Sequence, residues 1–200
     1  MKHQGTKELE TPRLLLRRFT LDDAEAIYSN WCSDEEVTKY LTWPAHKSTD
    51  TSRYVLTEWV ESYSKPDYYQ WAIVSKNLSE PIGCISVVSQ DDRIAMAQVG
   101  YAIGKRWWHQ GITSEALKRV MDFLFDEVGF NRIEARHDPR NTNSGAVMKK
   151  CGMRYEGTLR HADWNNQGVC DACYYALLAS EPVSYTHLDV YKRQEGHKFY

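Results

Sequence analysis

The sequence lacks the features that mark membrane, secreted and nucleic-acid-binding proteins. No apolar run approaches the roughly 20 residues that cross a bilayer, and the first residues lack the apolar core of a signal peptide. The formal net charge is -2, so no overall basic field attracts nucleic acid. The five cysteines are odd in number and scattered, which suits a reduced compartment. We therefore expect a cytoplasmic protein without membrane or nucleic-acid partners.

Motifs for common phosphate and metal sites are also missing. The chain has neither the G-x-G-x-x-G of dinucleotide-binding folds nor the Gly-Lys-Ser/Thr of a P-loop. A single C-x-x-C, Cys170 and Cys173, lies in a strand-like run, where residues three apart face opposite sides. No second Cys or His pair completes a zinc site, and no helix follows as in thioredoxin-like motifs. We therefore predict no metal site.

Length and apolar spacing predict one mixed α/β domain. The chain has 200 residues with 42% hydrophobic content, enough for a sizeable core. Alternating apolar residues predict strands, and apolar residues three and four apart predict helices. The predicted strands cover residues 13–19, 69–75, 82–89, 95–103, 132–137, 154–159 and 169–178, and the predicted helices 22–27, 33–41, 49–64, 116–125 and 143–150.

Residues 107–116 form the most informative segment, because they join a strand-like run to a long amphipathic pattern. The junction holds one glycine, two hydroxyl residues suited to N-capping and an early glutamate. The first N–H groups of a helix have no intrahelical acceptor, and the positive end of the helix dipole lies there, so this point suits a phosphate. The alternative is a capped strand-turn-helix junction that binds nothing.

A second motif, residues 138–153, follows another predicted strand. It carries Asn141 and Ser144 before a short helical pattern, then Lys150 and Gly152 at its end. Asn and Ser ahead of a helix are usually caps, and Gly152 is a typical C-cap.

Together these two segments resemble the GCN5-related N-acetyltransferases (GNAT), most closely the RimJ/RimL-type branch that acetylates ribosomal-protein N-termini. Residues 107–116 are similar to the acetyl-CoA pyrophosphate loop, and residues 138–153 to the family's Asn-x-x-Ser…Lys-x-Gly-Phe segment. The resemblance covers residues 13–180. Trp108 departs from the general pattern, which has Arg or Gln there, and His109 stands where Gly is usual. His accepts positive φ less readily than Gly.

The resemblance implies a fold and a reaction. The implied fold is mixed α/β, a central, mostly antiparallel sheet that splays at the acetyl-CoA site and is flanked by helices. The implied function is an acetyl-CoA-dependent N-acetyltransferase that transfers acetyl directly, in a ternary complex, to a primary amine such as a protein N-terminus. A small-amine acceptor (polyamine, amino acid or antibiotic) and a non-catalytic acyl-CoA-binding module are the alternatives. The implied partners are acetyl-CoA and the amine acceptor, with the protein a monomer or homodimer.

The resemblance also implies a set of site residues. Many relatives place a Tyr general acid where this chain has Met148, whose thioether cannot donate a proton. The RimJ/RimL branch uses the hydroxyl of Asn-x-x-Ser instead, which makes Ser144 the candidate acid. The candidate cofactor-binding residues are Ile103, Gln110, Gly111, Ile112, Thr113, Ser114, Asn141 and Ser144.

The general base is a separate question. Family members often use a Glu on the strand before the phosphate loop, but Gln98 stands there. We predict Asp163, with Glu134, His109 or a relay of ordered water as alternatives; a turn Asp is more often structural. An acceptor cleft could be lined by aromatic residues and a proline, with ordinary packing as the alternative: Trp43, Pro44, Tyr69, Tyr155 and Trp164.

The chain is expected to divide into three parts. Residues 1–12 are an N-terminal extension, and residues 13–182 are the acetyltransferase domain. Residues 183–194 can be encoded by a DNA string that, with CT before it, equals its own reverse complement, and that resembles two transposon ends joined head to head. We therefore expect residues 183–200 to be a non-native tail, with a genuine disordered tail as the alternative. Source DNA whose codons break the palindrome would refute the first reading.

Overall fold

A computed structural model describes residues 1–181, so the predicted tail lies outside the described residues. The strands are β1 Leu9–Glu10, β2 Leu14–Arg17, β3 Gln70–Ser75, β4 Pro81–Asp91, β5 Met96–Ile103, β6 Arg132–His137, β7 Arg154–Asn165 and β8 Gly168–Leu178. The helices are α1 Ala24–Ile27, α2 Glu35–Thr38, α3 Thr49–Ser62, α4 Ile112–Phe123 and α5 Thr142–Lys150. Wider π turns, Tyr28–Cys32 and Leu124–Val128, continue α1 and α4.

The strands form one sheet in the order β1-β2-β3-β4-β5-β6-β8-β7. Every neighbouring pair is antiparallel except β5 and β6, which are parallel. The prediction of a mixed α/β fold around a mostly antiparallel sheet is therefore confirmed. Within residues 1–181, no helix combines the length and the hydropathy that a membrane crossing needs.

The parallel pair β5 and β6 splays apart. Its pairing covers Met96–Gln98 of β5 against residues 132–134 of β6, and both strands then continue, to Ile103 and His137, without pairing with each other. Because parallel strands run in the same direction, the gap opens at the carboxyl ends of both. This gap positions the candidate site.

Alternation along β3 explains how the sheet buries both faces. Trp71 and Ile73 point into a core cluster shared with α4 and α5, while Ala72 and Val74 point into a second cluster shared with α1 and α3. All four residues are almost fully buried. Burying a side chain as large as Trp71 contributes about 1.5–3 kcal/mol, so β3 anchors both layers of helices.

The N-terminal residues add to this sheet. Leu9 of β1 pairs with Leu16 of β2 and is 3% exposed in the core. The Thr6 hydroxyl donates to the Tyr68 carbonyl at 3.0 Å and accepts from the Gln70 N–H at 2.9 Å. The N-terminal residues therefore pack against the domain, and Leu9–Glu10 form the edge strand of its sheet.

Two local predictions were wrong. The helix predicted over residues 33–41 is only Glu35–Thr38: Asp34 is the N-cap of α2, and its side chain accepts from the Glu36 N–H at 2.8 Å. Strand β7 is longer than predicted and contains Asp163, which was expected in a turn. A polar, largely exposed edge strand lacks the alternating apolar residues by which sequence analysis finds strands.

The cysteines of the C-x-x-C contact different neighbours. Cys170 Sγ lies 3.4 Å from Asn165 Nδ2, and Cys173 Sγ lies 3.1 Å from the Thr158 hydroxyl. Among residues 1–181, no three His, Cys, Asp or Glu side chains cluster so that they could hold a metal ion.

Candidate active site

A cavity of about 530 Å³ opens where β5 and β6 part. Four segments wall it: part of α2 and the loop after it, the end of β5, the turn into α4, and the first part of α5 with the turn before it. The lining residues include Glu36, Val37, Lys39, Tyr40 and Leu41; Tyr101, Ala102 and Ile103; Trp107, Trp108, His109, Gly111, Ile112, Thr113 and Ser114; and Arg140, Asn141, Thr142, Asn143, Ser144, Ala146, Val147 and Lys150.

The start of α4 leaves backbone donors available at this cavity. Its N-cap is Gly111, in the left-handed conformation at φ 73°, and in the described part of the chain no side chain caps the helix. The backbone bond from the Glu115 N–H to the Gly111 carbonyl closes the first turn at 3.1 Å. The preceding N–H groups, those of Ile112, Thr113 and Ser114, therefore lack intrahelical acceptors. Thr113 and Ser114 lie inside the first turn, so the predicted capping by these hydroxyls was wrong.

Two cations stand beside these donors. A Cβ placed on Gly111 would lie 3.2 Å from Lys150 Nζ and 3.7 Å from Arg13 Nη2. Backbone N–H groups, the positive end of a helix dipole and two positive side chains thus converge where Gly111 leaves room. This donor set fits a diphosphate.

Glu115 fastens the start of α4 to the segment between β1 and β2. Its carboxylate accepts from the Thr11 hydroxyl at 2.5 Å, from the Arg13 N–H at 3.2 Å and from Arg13 Nε at 2.6 Å. Arg13 Nη1 also donates to the Gln110 carbonyl at 3.0 Å. Partial burial alone would raise the pKa of Glu115, but these hydrogen bonds outweigh it and the pKa is lowered. Sequence analysis missed both partners, because they lie about 100 residues away along the chain.

Trp108 and His109, the two departures from the family pattern, occupy defined places. The indole Nε1 of Trp108 donates to the Ile103 carbonyl at 3.0 Å, which fastens the turn to the end of β5. His109 lies at φ 59°, so it adopts the left-handed conformation that Gly takes more easily. The histidine therefore holds a conformation that its residue type disfavours.

The end of β5 directs a backbone N–H into the gap. The Gly104 N–H donates to the Ile82 carbonyl at 2.9 Å, on the β4 side. Because successive N–H groups of a strand point to opposite sides, the Ile103 N–H points toward β6 and the cavity. A Cβ on Gly104 would lie 2.2 Å from the Asn30 carbonyl oxygen, so only glycine fits this close approach.

Tyr101 and Ser144 form a hydroxyl pair across the cavity. Tyr101 Oη lies 3.1 Å from Ser144 Oγ and donates to the Ser144 carbonyl at 3.0 Å. Burial raises the pKa of Tyr101, so this hydroxyl stays protonated near neutral pH. Ser144 sits in the first turn of α5, whose N-cap Asn141 accepts from the Ser144 N–H at 3.4 Å. Sequence analysis missed Tyr101, which lies on a strand face otherwise occupied by core residues.

With this geometry, the chain can be compared with known proteins. Residues 13–154 match the family described as acetyltransferase (GNAT) domain. An uncharacterized N-acetyltransferase, p20, of Bacillus licheniformis is 30% identical over 173 residues, which cover 86% of this chain and 97% of that protein. The chain belongs to the GNAT family.

Other GNAT proteins support the same assignment. The crystal structure of a GNAT-family acetyltransferase from Bacillus anthracis matches with a TM-score of 0.77 at 25% identity, covering 88% of this chain and all of that one. The [ribosomal protein uS5]-alanine N-acetyltransferase of Escherichia coli is 32% identical over 59 residues, 30% of each chain. The predicted resemblance to GNAT enzymes of the RimJ/RimL type is thus confirmed. GNAT acetyltransferases use acetyl-CoA as donor.

The GNAT cavity includes most of the predicted site residues but excludes two. Ile103, Gly111, Ile112, Thr113, Ser114, Asn141 and Ser144 all line it. Gln110 lies outside the lining residues and acts through its carbonyl, which accepts from Arg13. Asp163 also lies outside the lining residues, and Arg136 Nε and Nη2 hold its carboxylate at 2.7 and 3.1 Å.

The alternative carboxylate base, Glu134, is engaged as well. It accepts from Arg132 Nη2 at 3.0 Å and from Gln98 Nε2 at 3.0 Å. Each of the two carboxylates is thus occupied by an arginine, and Glu134, like Asp163, lies outside the residues that line the cavity. Neither Glu134 nor Asp163 therefore has the environment of a general base, and the base role predicted for Asp163 stays a prediction without geometric support.

The other end of the cavity has a different character. Among the described residues that line it, Glu36 supplies the one carboxylate, and Lys105 pairs with it. Tyr40 and Leu41 supply apolar surface. The residues predicted as aromatic lining of an acceptor cleft all lie outside the lining set, and Tyr69 is 1% exposed in the core.

Proposed function

We propose that this protein is an acetyl-CoA-dependent N-acetyltransferase that moves an acetyl group to a primary amine, by direct transfer in a ternary complex. The observation that carries the proposal is one cavity with two kinds of group. Uncapped backbone donors beside Lys150 and Arg13 suit the cofactor's diphosphate, and the Tyr101–Ser144 hydroxyl pair lines the same cavity.

Binding of the donor is assigned mainly to backbone. The N–H groups of Gly111 to Ser114 hold the diphosphate, with Lys150 and Arg13 adding positive charge. Gln110 shapes this turn through its carbonyl. Asn141, at the start of α5, is proposed to contact the pantetheine arm, as its match to the family motif implies.

The chemistry needs a polarised carbonyl and a proton for the departing sulfur. Acetyl-CoA, when bound, supplies the thioester. The Ile103 N–H is proposed to stabilise the oxyanion as the amine nitrogen bonds to the carbonyl carbon. Ser144 donates its hydroxyl proton as the carbon–sulfur bond breaks, and Tyr101 orients Ser144. With Asp163 and Glu134 engaged by arginines, the amine proton is assigned to a relay of ordered water.

The acceptor is proposed to be the N-terminal amine of a protein or peptide. A polyamine carries several positive charges and needs an acidic cleft. Glu36, the one carboxylate among the described residues that line the cavity, is already paired with Lys105, and Arg140 is likewise paired with Asp138, while Lys39 adds positive charge. A related enzyme whose name specifies an alanine of a ribosomal protein as acceptor supports a protein substrate.

Release of CoA thiol tests this proposal. The protein is mixed with acetyl-CoA and with a panel of acceptors: peptides with a free N-terminal alanine or serine, spermidine, a free amino acid and an aminoglycoside. We expect the highest kcat/KM for a peptide. Spermidine or the aminoglycoside as the best acceptor would overturn the peptide assignment. Acetyl-CoA binding without thiol release on any amine would instead indicate an idle acyl-CoA-binding module, an alternative favoured by Met148 in place of tyrosine.

A further inference from the structure

One exposed residue of the β7–β8 turn holds the acceptor-side wall of the cavity. The Asn166 backbone N–H donates to the Leu41 carbonyl at 3.1 Å. Asn166 Nδ2 donates to the carbonyls of Thr38 and Trp43, at 2.8 Å each. A single residue thus binds three carbonyls of the segment comprising residues 36–43, here called the acceptor loop.

The acceptor loop depends on such external contacts. Helix α2 has 4 residues, and a helix that short is unstable by itself because nucleation costs more than its few hydrogen bonds return. Thr38 is its last residue, so the Thr38 carbonyl has no acceptor role inside the helix. The Leu41 N–H donates to this carbonyl at 2.8 Å, and Asn166 adds a second donor to it as well as donors to the carbonyls of Leu41 and Trp43.

The neighbouring residue ties the same turn to the opposite wall. Asn165 is 5% exposed, and its Nδ2 donates to Asp138 Oδ2 at 2.9 Å. Asp138 in turn accepts from the Arg140 N–H at 2.8 Å through its side chain and from the Asn141 N–H at 2.8 Å through its carbonyl. The Arg140 guanidinium holds the pKa of Asp138 well below its usual range, so this link stays charged near neutral pH. Through Asp138, Asn165 is therefore connected to Asn141, the N-cap of the helix that carries Ser144.

We propose that Asn166 is a positioning residue that sets the distance between the acceptor loop and Ser144. Asn165 fixes the β7–β8 turn to the Ser144 side, and Asn166 fixes the acceptor loop to that turn. An amine that enters between the acceptor loop and the turn carrying Ser144 therefore meets a gap whose width is set by Asn165 and Asn166. The inference rests on the proposed function, because it assigns the acceptor to this end of the cavity.

Two variants and one control test the proposal. Asn166→Ala removes both side-chain donors, and Asn166→Asp keeps the shape but places a carboxylate without donors against two carbonyl oxygens. Gln167→Ala is the matched control, since Gln167 is an exposed residue of the same turn whose side chain donates to the Asn166 carbonyl and does not reach the acceptor loop. The fold should survive each change, because both substituted positions, Asn166 and Gln167, are exposed.

The first measurement is hydrogen exchange of the full chain followed by mass spectrometry. We expect peptides that cover residues 36–46 to exchange several-fold faster in Asn166→Ala, and faster again in Asn166→Asp, while peptides from α4 keep their rates. Unchanged exchange of residues 36–46 would overturn the proposal, and so would equal acceleration throughout the chain. This measurement needs no acceptor, so it decides the inference even where the acceptor assignment fails.

The second measurement separates positioning from a purely structural role. With an N-terminal alanine peptide as acceptor, we expect Asn166→Ala to raise KM for the peptide about 5-fold, as loss of roughly one hydrogen bond's net contribution predicts. The KM for acetyl-CoA should stay at the value of the parent protein. In Gln167→Ala, the KM for the peptide and the KM for acetyl-CoA should both be unchanged. A proportional rise in both KM values, or a fall in Tm with neither KM changed, contradicts the positioning role.

Discussion

The two ends of the cavity are built from different kinds of structure. The cofactor end begins a helix of 12 residues, α4, which Glu115 locks to Thr11 and Arg13 at the edge of the sheet. The acceptor end uses a helix of 4 residues, α2, which is held by its Asp34 N-cap, by the Glu36–Lys105 ion pair and by Asn166. A diphosphate is bound by backbone donors, which only a rigid fold can place, whereas an acceptor is bound by side chains that can change without disturbing the sheet. The first end thus depends on the backbone of the sheet and a long helix, and the second on a few side-chain contacts.

The largest effect is expected at the cofactor end. Gly111→Val forces a β-branched residue into a left-handed conformation and directs its Cβ toward Lys150, in the space needed for the diphosphate. We expect the Kd for acetyl-CoA, measured by calorimetry, to rise about 100-fold or more, the scale of losing two strong anionic hydrogen bonds. Gly129→Val, at the other end of the same helix and at φ 89°, introduces similar strain and should leave Kd unchanged. Equal affinity in both variants would refute the phosphate-loop assignment.

The next effect separates chemistry from binding. Ser144→Ala removes the proposed proton donor, and we expect kcat to fall about 100-fold, the lower range for a lost general acid. Acetyl-CoA affinity should be retained, because the backbone donors are untouched. Ser89→Ala, an exposed serine on β4, is the control. Full turnover by Ser144→Ala, followed by thiol release, would exclude the acid role.

A smaller effect is expected at Tyr101. Tyr101→Phe keeps the ring and removes the hydroxyl that contacts the Ser144 carbonyl and hydroxyl. We expect kcat to fall about 10-fold, roughly the value of one well-placed hydrogen bond. The double variant with Ser144→Ala should be no slower than Ser144→Ala alone, since Tyr101 acts through Ser144. Multiplicative losses would give Tyr101 an independent role.

The hydrogen bonds that Glu115 accepts from Thr11 and Arg13 predict that the stability of the protein depends on pH. The folded-state pKa of Glu115 lies below the unfolded value, so its stabilisation is present above the unfolded pKa and is lost as the pH falls through the folded pKa. Glu115→Gln should lower the free energy of unfolding at pH 7 by about 1 kcal/mol, discounted for a side chain that is partly exposed. Urea titrations should show this difference shrinking below about pH 4. A difference that stays constant with pH would mean that the charge of Glu115 contributes nothing.

The smallest effect is expected at His109. Replacing this exposed histidine at φ 59° with Gly relieves a disfavoured conformation but adds unfolded-state entropy, so a net gain of about 0.5 kcal/mol is expected in thermal unfolding. Acetyl-CoA affinity should change less than 3-fold if His109 only occupies the turn. A larger loss of affinity would show that the imidazole contacts the cofactor, and the cofactor end would then depend on a side chain particular to this protein.

Sequence analysis located the elements whose pattern is local. The amphipathic period located α4, although the helix begins at Ile112, four residues before the predicted range 116–125, and α5 begins within one residue of its predicted start. It failed for β7, whose exposed polar residues carry no alternation, and so it placed Asp163 in a turn. It also placed Tyr69 in a cleft, although the side chain is buried, since aromatic identity does not tell which face of a strand meets the core.

The chain by itself determined the family, the donor and the position of the cofactor turn, because these depend on residues close together in sequence. The splay of β5 from β6, the contact between Tyr101 and Ser144, and the lock of Glu115 on Thr11 and Arg13 emerged only from the tertiary structure. The same holds for the bridge through Asn165 and Asn166, which joins parts of the chain more than 120 residues apart. Such contacts depend on which strands pair and on how many residues each pairing covers. The local spacing of residues in the sequence encodes neither.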